Sequence, residues 1–278
     1  MTAPARAIWR LIEPIHAVTY FAPAARDRVA ELGTLGFWMG YFAARSAPLG
    51  TVDPAVVEAT FYNFAPRLVT RALPDAWSYT TPAAVIDARA EGAAIALRQE
   101  VTVADLEETV ARAVPLLEAA ARAAGCGGRP LAAANQALAR RDDPVERLWQ
   151  ACTTLREHRG DGHVAALVAA GIDGIDAHLL GIAAGRIPAR VKDARGWADA
   201  EWQAAQDALA NRDPHEAALA YERVEQITDD LAMQPYRDGL TESGFELLGT
   251  LLAKIARPLV ASGVVPFPNP IGLDPLES

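Results

Sequence analysis

Apolar residues recur every three to four positions along almost the whole chain, which is the spacing of one face of an α-helix. No run of alternating β-branched or aromatic residues is bounded by turn residues in the way that a β-hairpin requires. The chain has 278 residues, of which 51% are hydrophobic, and can therefore bury a sizeable core. The sequence predicts an all-α fold.

Capping and breaking residues divide this pattern into separate helices. Asp53 and Thr81 are each N-cap candidates, because each is followed by a proline suited to the first helical position. Glycines are expected to end several helical patterns, namely Gly33, Gly125, Gly171 and Gly185. The clearest long helices are predicted at residues 81–100, 103–124, 143–157, 163–170, 198–211, 214–233 and 241–261.

Glycine and proline also predict a division into two helical lobes. The stretch AAGCGGRPL interrupts two alanine-rich helices and marks the expected boundary. We expect an N-terminal, aromatic-rich lobe over residues 1–125 and a C-terminal lobe over residues 126–262. Four prolines predict an extended tail over residues 263–278, held in place by Phe267 and Ile271.

Composition excludes several classes of protein. The formal net charge of −9 opposes contact with nucleic-acid phosphates, so DNA binding is not expected. Two cysteines form neither a disulfide framework nor a CxxC metal motif. The first residues do not show the pattern of a signal peptide, and no run of about 18 apolar residues occurs, so we expect a cytoplasmic protein without a membrane span. It has no glycine-rich phosphate loop for a nucleotide cofactor.

The stretch EHRGDGH, residues 157–163, places two histidines beside an arginine and two acidic residues. Its two glycines, Gly160 and Gly162, predict a tight turn between two helices that brings the neighbouring polar side chains together. A histidine beside a carboxylate suits acid–base chemistry, and the same atom types bind metal ions. The candidate catalytic residues are therefore Glu157, His158, Arg159, Asp161 and His163.

Each of these residues has an expected role. His158 and His163 would present ring nitrogens to a bound molecule or to a metal ion, and Arg159 would pair with an anionic group. Asp161 would fix a histidine tautomer or cap a helix. The spacing matches neither HExxH nor an EF-hand loop, so a metal is not specified. In the alternative interpretation, Asp161 caps the helix that begins near His163. Glu157, His158 and Arg159 then lie in the solvated last turn of the preceding helix.

The N-terminal lobe supplies a second group of candidates. His16 and Tyr20 are four residues apart and therefore share a helix face. Most aromatic residues also lie in this part of the chain, where they are typical either of a core or of an apolar pocket with a few orienting polar groups. The candidate ligand-binding residues are His16, Tyr20, Tyr41, Tyr62 and Asn63, with Trp38 and Phe42 as an apolar wall.

Several of these stretches together resemble a known family. The blocks GFWMGYFAARSAPLG, LREHRGDGHVAALVAAGIDG and RGWADAEWQAA are similar to an actinobacterial family of helical proteins labelled as helix-turn-helix proteins. The resemblance implies two lobes, each related to a winged helix, with the C-terminal lobe similar to MarR-type regulators. Family members carry a hairpin wing after the RGW…EW helix. Here ANRDPHEAA leads almost directly into the next helix, so the wing is expected to be lost or vestigial.

Three functions stay open from the sequence. The first is a small-molecule site between the lobes, either for binding alone or for acid–base or metal-assisted catalysis. The second is a ligand-responsive transcriptional regulator of winged-helix descent. The third is a protein-interaction or scaffold role. Neither the ligand nor the reaction is specified, and a homodimer is compatible with all three.

Overall fold

The computed structural model describes residues 4–273 and 276, except for the side chains of residues 103–105. Within this part of the chain there are helices and no strands, so the prediction of an all-α fold is confirmed. Two short 3₁₀-helices cover Ala47–Leu49 and Asp75–Ser78. The α-helices are α1 (Pro4–Phe21), α2 (Pro23–Ala30), α3 (Gly36–Ser46), α4 (Pro54–Thr60), α5 (Pro66–Thr70), α6 (Pro82–Glu100), α7 (Val103–Ala123), α8 (Pro130–Gln136), α9 (Pro144–Ala169), α10 (Gly174–Ala183), α11 (Val191–Arg195), α12 (Asp199–Ala210), α13 (Pro214–Ala232), α14 (Gln234–Gly239) and α15 (Glu242–Ala261).

The predicted caps form as expected. The Asp53 carboxylate accepts a hydrogen bond from the backbone N–H of Ala55 at 2.8 Å, and the Thr81 hydroxyl accepts one from Ala84 at 3.2 Å. These bonds satisfy backbone donors that the first helical turn leaves without partners. Among the predicted stop residues, Gly33, Gly171 and Gly185 have positive φ angles, which glycine adopts without a steric penalty.

Helix α9 differs from its prediction. We expected two helices, over residues 143–157 and 163–170, joined by a tight turn at Gly160 and Gly162. Instead, α9 runs without interruption for 26 residues, from Pro144 to Ala169, so the predicted turn is wrong. A glycine inside a helix costs only about 0.5–1 kcal/mol. Packing of α9 against α1, α6, α7, α8 and α13 outweighs that cost.

Buried side chains form a main core around α9 and smaller cores beside it. The main core contains Leu97 from α6, Leu117 from α7, Trp149 from α9 and Leu252 from α15, so it takes helices from both sides of residue 125. An aromatic core, built around Phe42, Phe61 and Phe64, lies under α3 to α6. A C-terminal core includes Trp202 and Tyr221. The division into two lobes stays a prediction.

Residues 263–273 and 276 contain no helix or strand. Residues 274, 275, 277 and 278 lie outside the described residues, so an extended tail over residues 263–278 stays a prediction. Val265 and Leu273 are buried against Tyr20, and the predicted anchors Phe267 and Ile271 are partly buried in the same cluster. Within the described residues, no single helix is long and apolar enough to cross a membrane.

Candidate functional site

One face of α9 brings several polar residues of the EHRGDGH region together. Arg156, Arg159, Gly160 and His163 follow the spacing i, i+3, i+4 and i+7, which places them on the same side of a continuous helix. All four residues line a cavity of about 210 Å³. We call it the arginine cavity, because it is also lined by Arg6, Arg186 and Arg195. The tail closes one side of it with Pro270, Ile271 and Gly272.

Ion pairs neutralise the arginines that α9 and α3 contribute to this region. The buried Glu157 carboxylate accepts hydrogen bonds from Arg45 and from Arg156, each at 2.9 Å. Arg156 also donates to Glu13 of α1 at 3.3 Å, and Trp9 donates to the other oxygen of Glu13 at 3.0 Å. The two guanidinium groups outweigh the effect of burial and lower the pKa of Glu157 to about 2.

The arginines on the α13 side of the cavity are neutralised in the same way. Arg159 donates to Asp229 at 2.9 Å, and Arg6 bonds both Asp229 and Glu225. Arg186 donates to Glu222 at 2.7 Å. Each of these three guanidinium groups therefore has at least one carboxylate partner, and Arg6 and Arg159 share Asp229.

Arg195 is the exception among the arginines of the cavity. Within the described residues no carboxylate lies within 4.0 Å of its guanidinium group. The Nη2 atom donates to the backbone carbonyl of Pro270 at 2.9 Å, and the group lies 4.3 Å from the centre of the Phe64 ring. Burial lowers the pKa of Arg195, and the like charges of Arg45 and Arg156 lower it further. Among the described residues this cation therefore has no direct carboxylate partner, although Glu13 and Glu225 line the same cavity.

Backbone contacts fix the position of Arg195. It is the last residue of α11, and its carbonyl accepts a hydrogen bond from the N–H of Ala65 at 2.9 Å. Gly196 follows with a φ of +78°, which turns the chain sharply away from α11. Arg195 is therefore held between the aromatic core and the tail.

Asn63 lies beside Arg195 and is also fixed by its backbone. Its carbonyl accepts hydrogen bonds from His178 at 3.0 Å and from Trp197 at 3.2 Å. The side-chain oxygen of Asn63 has no hydrogen-bond partner among the described residues. The residue lines the arginine cavity, where it offers polar side-chain atoms to a bound molecule.

The two histidines of the cavity are neutral near pH 7. His163 shares a hydrogen bond with the Thr228 hydroxyl at 3.0 Å, and burial lowers its pKa to about 4. Burial also lowers the pKa of His178 to about 3. Both rings therefore act as uncharged hydrogen-bonding groups, and the positive charge in the cavity comes from arginine alone.

A second cavity of about 130 Å³ adjoins the first. The two cavities share the lining residues Asn63, Arg156, Gly160, His163 and Arg195. The remaining wall of the second cavity combines the aromatic and apolar residues Tyr41, Phe61, Tyr62, Phe64, Leu131 and Val164 with the polar residues Arg45, Thr60, Glu157 and Asp161. We call it the aromatic cavity.

Asp161 has a different role from the one expected. Its carboxylate accepts a hydrogen bond at 2.9 Å from the backbone N–H of Ala132, in the first turn of α8. It therefore caps α8 and not a helix that begins near His163. Burial raises the pKa of Asp161 to about 7, although the bond from Ala132 acts in the opposite direction. Because Asp161 also lines the aromatic cavity, it offers a carboxyl group that titrates near neutral pH.

His158 and His163 do not meet, contrary to the prediction. They are five residues apart on a continuous helix, so they project from different faces. His158 is fully buried beside Arg129, Gly125 and Gln234, away from both cavities. Among the described residues no three His, Cys, Asp or Glu side chains are grouped closely enough to hold a metal ion.

The candidates from the N-terminal region divide into two groups. Tyr41, Tyr62 and Asn63 line the aromatic cavity. The His16 ring is enclosed in the core, where its two nitrogens bond Thr153 at 2.9 Å and Tyr20 at 2.7 Å. Tyr20 lines a separate cavity of about 240 Å³ near Phe37. Trp38 and Phe42 belong to the aromatic core and line neither the arginine cavity nor the aromatic cavity.

Sequence reasoning missed most of the arginines in the cavity. Arg6, Arg186 and Arg195 come from distant parts of the chain, and no local motif connects them. The pair Arg156 and Arg159 did carry a signal, because their helical spacing to Gly160 and His163 defines one face once α9 is continuous. The assumed turn concealed that face.

Comparisons with known proteins agree with the helical architecture. Residues 5–266 match the model of a family described as a helix-turn-helix family. No curated protein and no solved structure matches the chain significantly. Within the matched range, α11, a three-residue turn containing Gly196 and α12 follow one another in the order of a helix-turn-helix unit. The chain belongs to this helix-turn-helix family.

Proposed function

We propose that this protein binds a small organic anion in the arginine cavity. The observation that carries the proposal is Arg195, a largely enclosed cation that lines the cavity and has no carboxylate partner in the part of the chain that the structure describes. Burial of a charge without a counter-charge is costly, and proteins normally avoid it by pairing. A carboxylate or phosphate group of a ligand would supply the missing charge and would form charge-assisted hydrogen bonds.

The rest of the cavity supports an organic ligand over a simple ion. Trp9, Tyr221 and Ile271 contribute apolar surface, while Asn63 and His163 offer uncharged polar groups. This combination of apolar walls with a few orienting polar groups is typical of small-molecule sites. Binding is the function that the geometry supports best, and acid–base catalysis would need a further partner for Asp161.

The proposal is tested by titrating acetate and inorganic phosphate into the protein at low ionic strength, with two-dimensional NMR to detect weak binding. Arg195→Met removes the charge and keeps most of the side-chain volume. We expect it to weaken anion binding by about tenfold or more, which corresponds to roughly 1.4 kcal/mol. The matched control is Arg71→Met, which removes the same charge from an exposed position and should leave binding unchanged. Equal binding by both variants, or none by the unsubstituted protein, would reject the proposal.

A ligand-responsive DNA-binding regulator is the second candidate, and the family description favours it. The charge of the structure opposes it. In the order of the helix-turn-helix unit, α12 would be the recognition helix, yet it contains Asp199, Glu201 and Asp207 and no lysine or arginine. DNA phosphates would repel such a helix. We therefore retain anion binding as the principal proposal. The actinobacterial origin, the similarity to MarR-type regulators and the cytoplasmic location stay predictions.

A further inference from the structure

Gly160 occupies a position that packing does not reserve for glycine. A Cβ atom added there would come no closer than 3.7 Å to Glu157 Oε2 and 3.8 Å to Arg156 Nη1, which are ordinary contact distances. Alanine would also favour the helix over glycine, because glycine loses more backbone entropy on folding. Neither crowding nor helix formation therefore accounts for the glycine.

The position of Gly160 relative to the two cavities suggests another reason. It lines both cavities, and it is the only one of their five shared lining residues that has no side chain. The space beside the Cα atom of Gly160 therefore lies at the boundary between the two cavities. A ligand longer than a simple anion would have to pass this boundary.

The aromatic cavity has the size and the lining for a planar ring. Its volume of about 130 Å³ is close to that of an engineered protein cavity of roughly 150 Å³ that binds benzene. Phe61, Leu131 and Val164 provide apolar contacts, and the Arg195 guanidinium lies at its border. A ring held there would place a directly attached carboxylate next to Arg195.

We propose that the two cavities form one site for an aromatic carboxylate, with the carboxylate on Arg195, the ring in the aromatic cavity and Gly160 leaving the room between them. This inference rests on the proposed function, because it needs an anion at Arg195. It adds the ligand class and assigns Gly160 as a residue that determines specificity.

Benzoate, acetate and benzamide are the test compounds, with affinities measured by NMR titration. We expect the unsubstituted protein to bind benzoate at least tenfold more tightly than acetate, and to bind benzamide more weakly than benzoate because it lacks the charge. Gly160→Ala should weaken benzoate binding about tenfold and change acetate binding less than twofold. The matched control is Gly162→Ala in the same helix, where a Cβ would meet Leu231 at 3.6 Å and line neither cavity. It should change neither affinity.

Both glycine variants should have melting temperatures no lower than that of the unsubstituted protein. Val164→Leu, which fills the aromatic cavity from the next turn of α9, is a second variant and should also reduce benzoate binding selectively. Equal affinities for benzoate and acetate, or equal effects of the two glycine variants, would overturn this inference while the proposed anion site stands. If the unsubstituted protein binds neither benzoate nor acetate, both proposals are overturned. The same holds if Arg195→Met binds these anions as tightly as the unsubstituted protein does.

Discussion

Glu157 and Arg45 form a two-point ion pair inside the protein: Arg45 Nη2 lies 2.9 Å from Glu157 Oε2, and Arg45 Nε lies 3.3 Å from Glu157 Oε1. The Glu157 side chain is only 3% exposed. Since Arg156 bonds the same carboxylate, the pair connects α3 to the face of α9 that lines the arginine cavity.

Removal of the charge of Glu157 should therefore destabilise the fold. Glu157→Gln would leave two enclosed guanidinium groups without their shared carboxylate, and breaking such a buried pair costs roughly 3–5 kcal/mol. The free energy of unfolding is measured by urea denaturation. The control is Glu108→Gln, which breaks the exposed pair with Arg112 and should change stability by less than about 1 kcal/mol. Similar small losses in both variants would show that the internal pair contributes little.

Asp161 should make stability depend on pH. Its pKa in the folded protein is about 7, above the ordinary aspartate value, so the folded state keeps a proton that the unfolded chain releases. The resulting stabilisation is complete below about pH 4 and is lost as the pH rises towards 7. Asp161→Asn keeps an oxygen for the Ala132 N–H and does not titrate.

The test of this assignment is the difference in unfolding free energy between the unsubstituted protein and Asp161→Asn. Relative to the variant, the unsubstituted protein should lose about 2 kcal/mol between pH 5 and pH 7. Protonation of the histidines in the unfolded chain, which occurs over the same interval, contributes equally to both proteins and cancels. A difference that does not change with pH would mean that Asp161 is already ionised at pH 5.

Gly174 should be intolerant of any side chain. A Cβ atom there would clash with the backbone carbonyl oxygen of Tyr62, so alanine would push α10 away from the segment that carries Asn63. We expect Gly174→Ala to cost about 1–3 kcal/mol, as overpacking usually does. Gly249→Ala in α15, which meets nothing within 4 Å, should instead stabilise by up to about 1 kcal/mol. Thermal unfolding of both variants compares them, and two shifts of the same sign would contradict this explanation.

Sequence-specific DNA binding should be weak or absent. The acidic α12 and the net charge of −9 both oppose contact with phosphates. Selection of binding sequences from a random DNA library, followed by titration at physiological salt, should give no specific complex tighter than about 10⁻⁸ M. A tighter complex would contradict this prediction and would favour the function of a DNA-binding regulator, which agrees with the family description.

Local signals predicted most of the fold. Asp53 and Thr81 each act on a backbone N–H within three residues, so their caps were visible in the sequence. The turn at Gly160 and Gly162 was wrong because helix propensity is a small local term, whereas α9 is stabilised by helices from distant parts of the chain. The expected contact between His158 and His163 depended on that turn.

The candidate site was less predictable than the fold. Tyr41, Tyr62 and Asn63 were expected and do line the aromatic cavity. Arg195 was not chosen, because what distinguishes it is that no carboxylate of the described residues lies beside it in space. The sequence contains twenty-six lysines and arginines and thirty-five acidic residues. No local sequence pattern indicates which of these cations lies apart from every carboxylate that the structure describes.

The most direct test of the central claim is native mass spectrometry of the protein purified from its own host, compared with its Arg195→Met variant prepared in the same way. The account predicts that the unsubstituted protein retains a small organic anion through purification. The Arg195→Met variant should be purified without this anion and should keep the same helical circular dichroism spectrum. Retention of the same molecule by both proteins would contradict the account, because the anion would then be bound without Arg195.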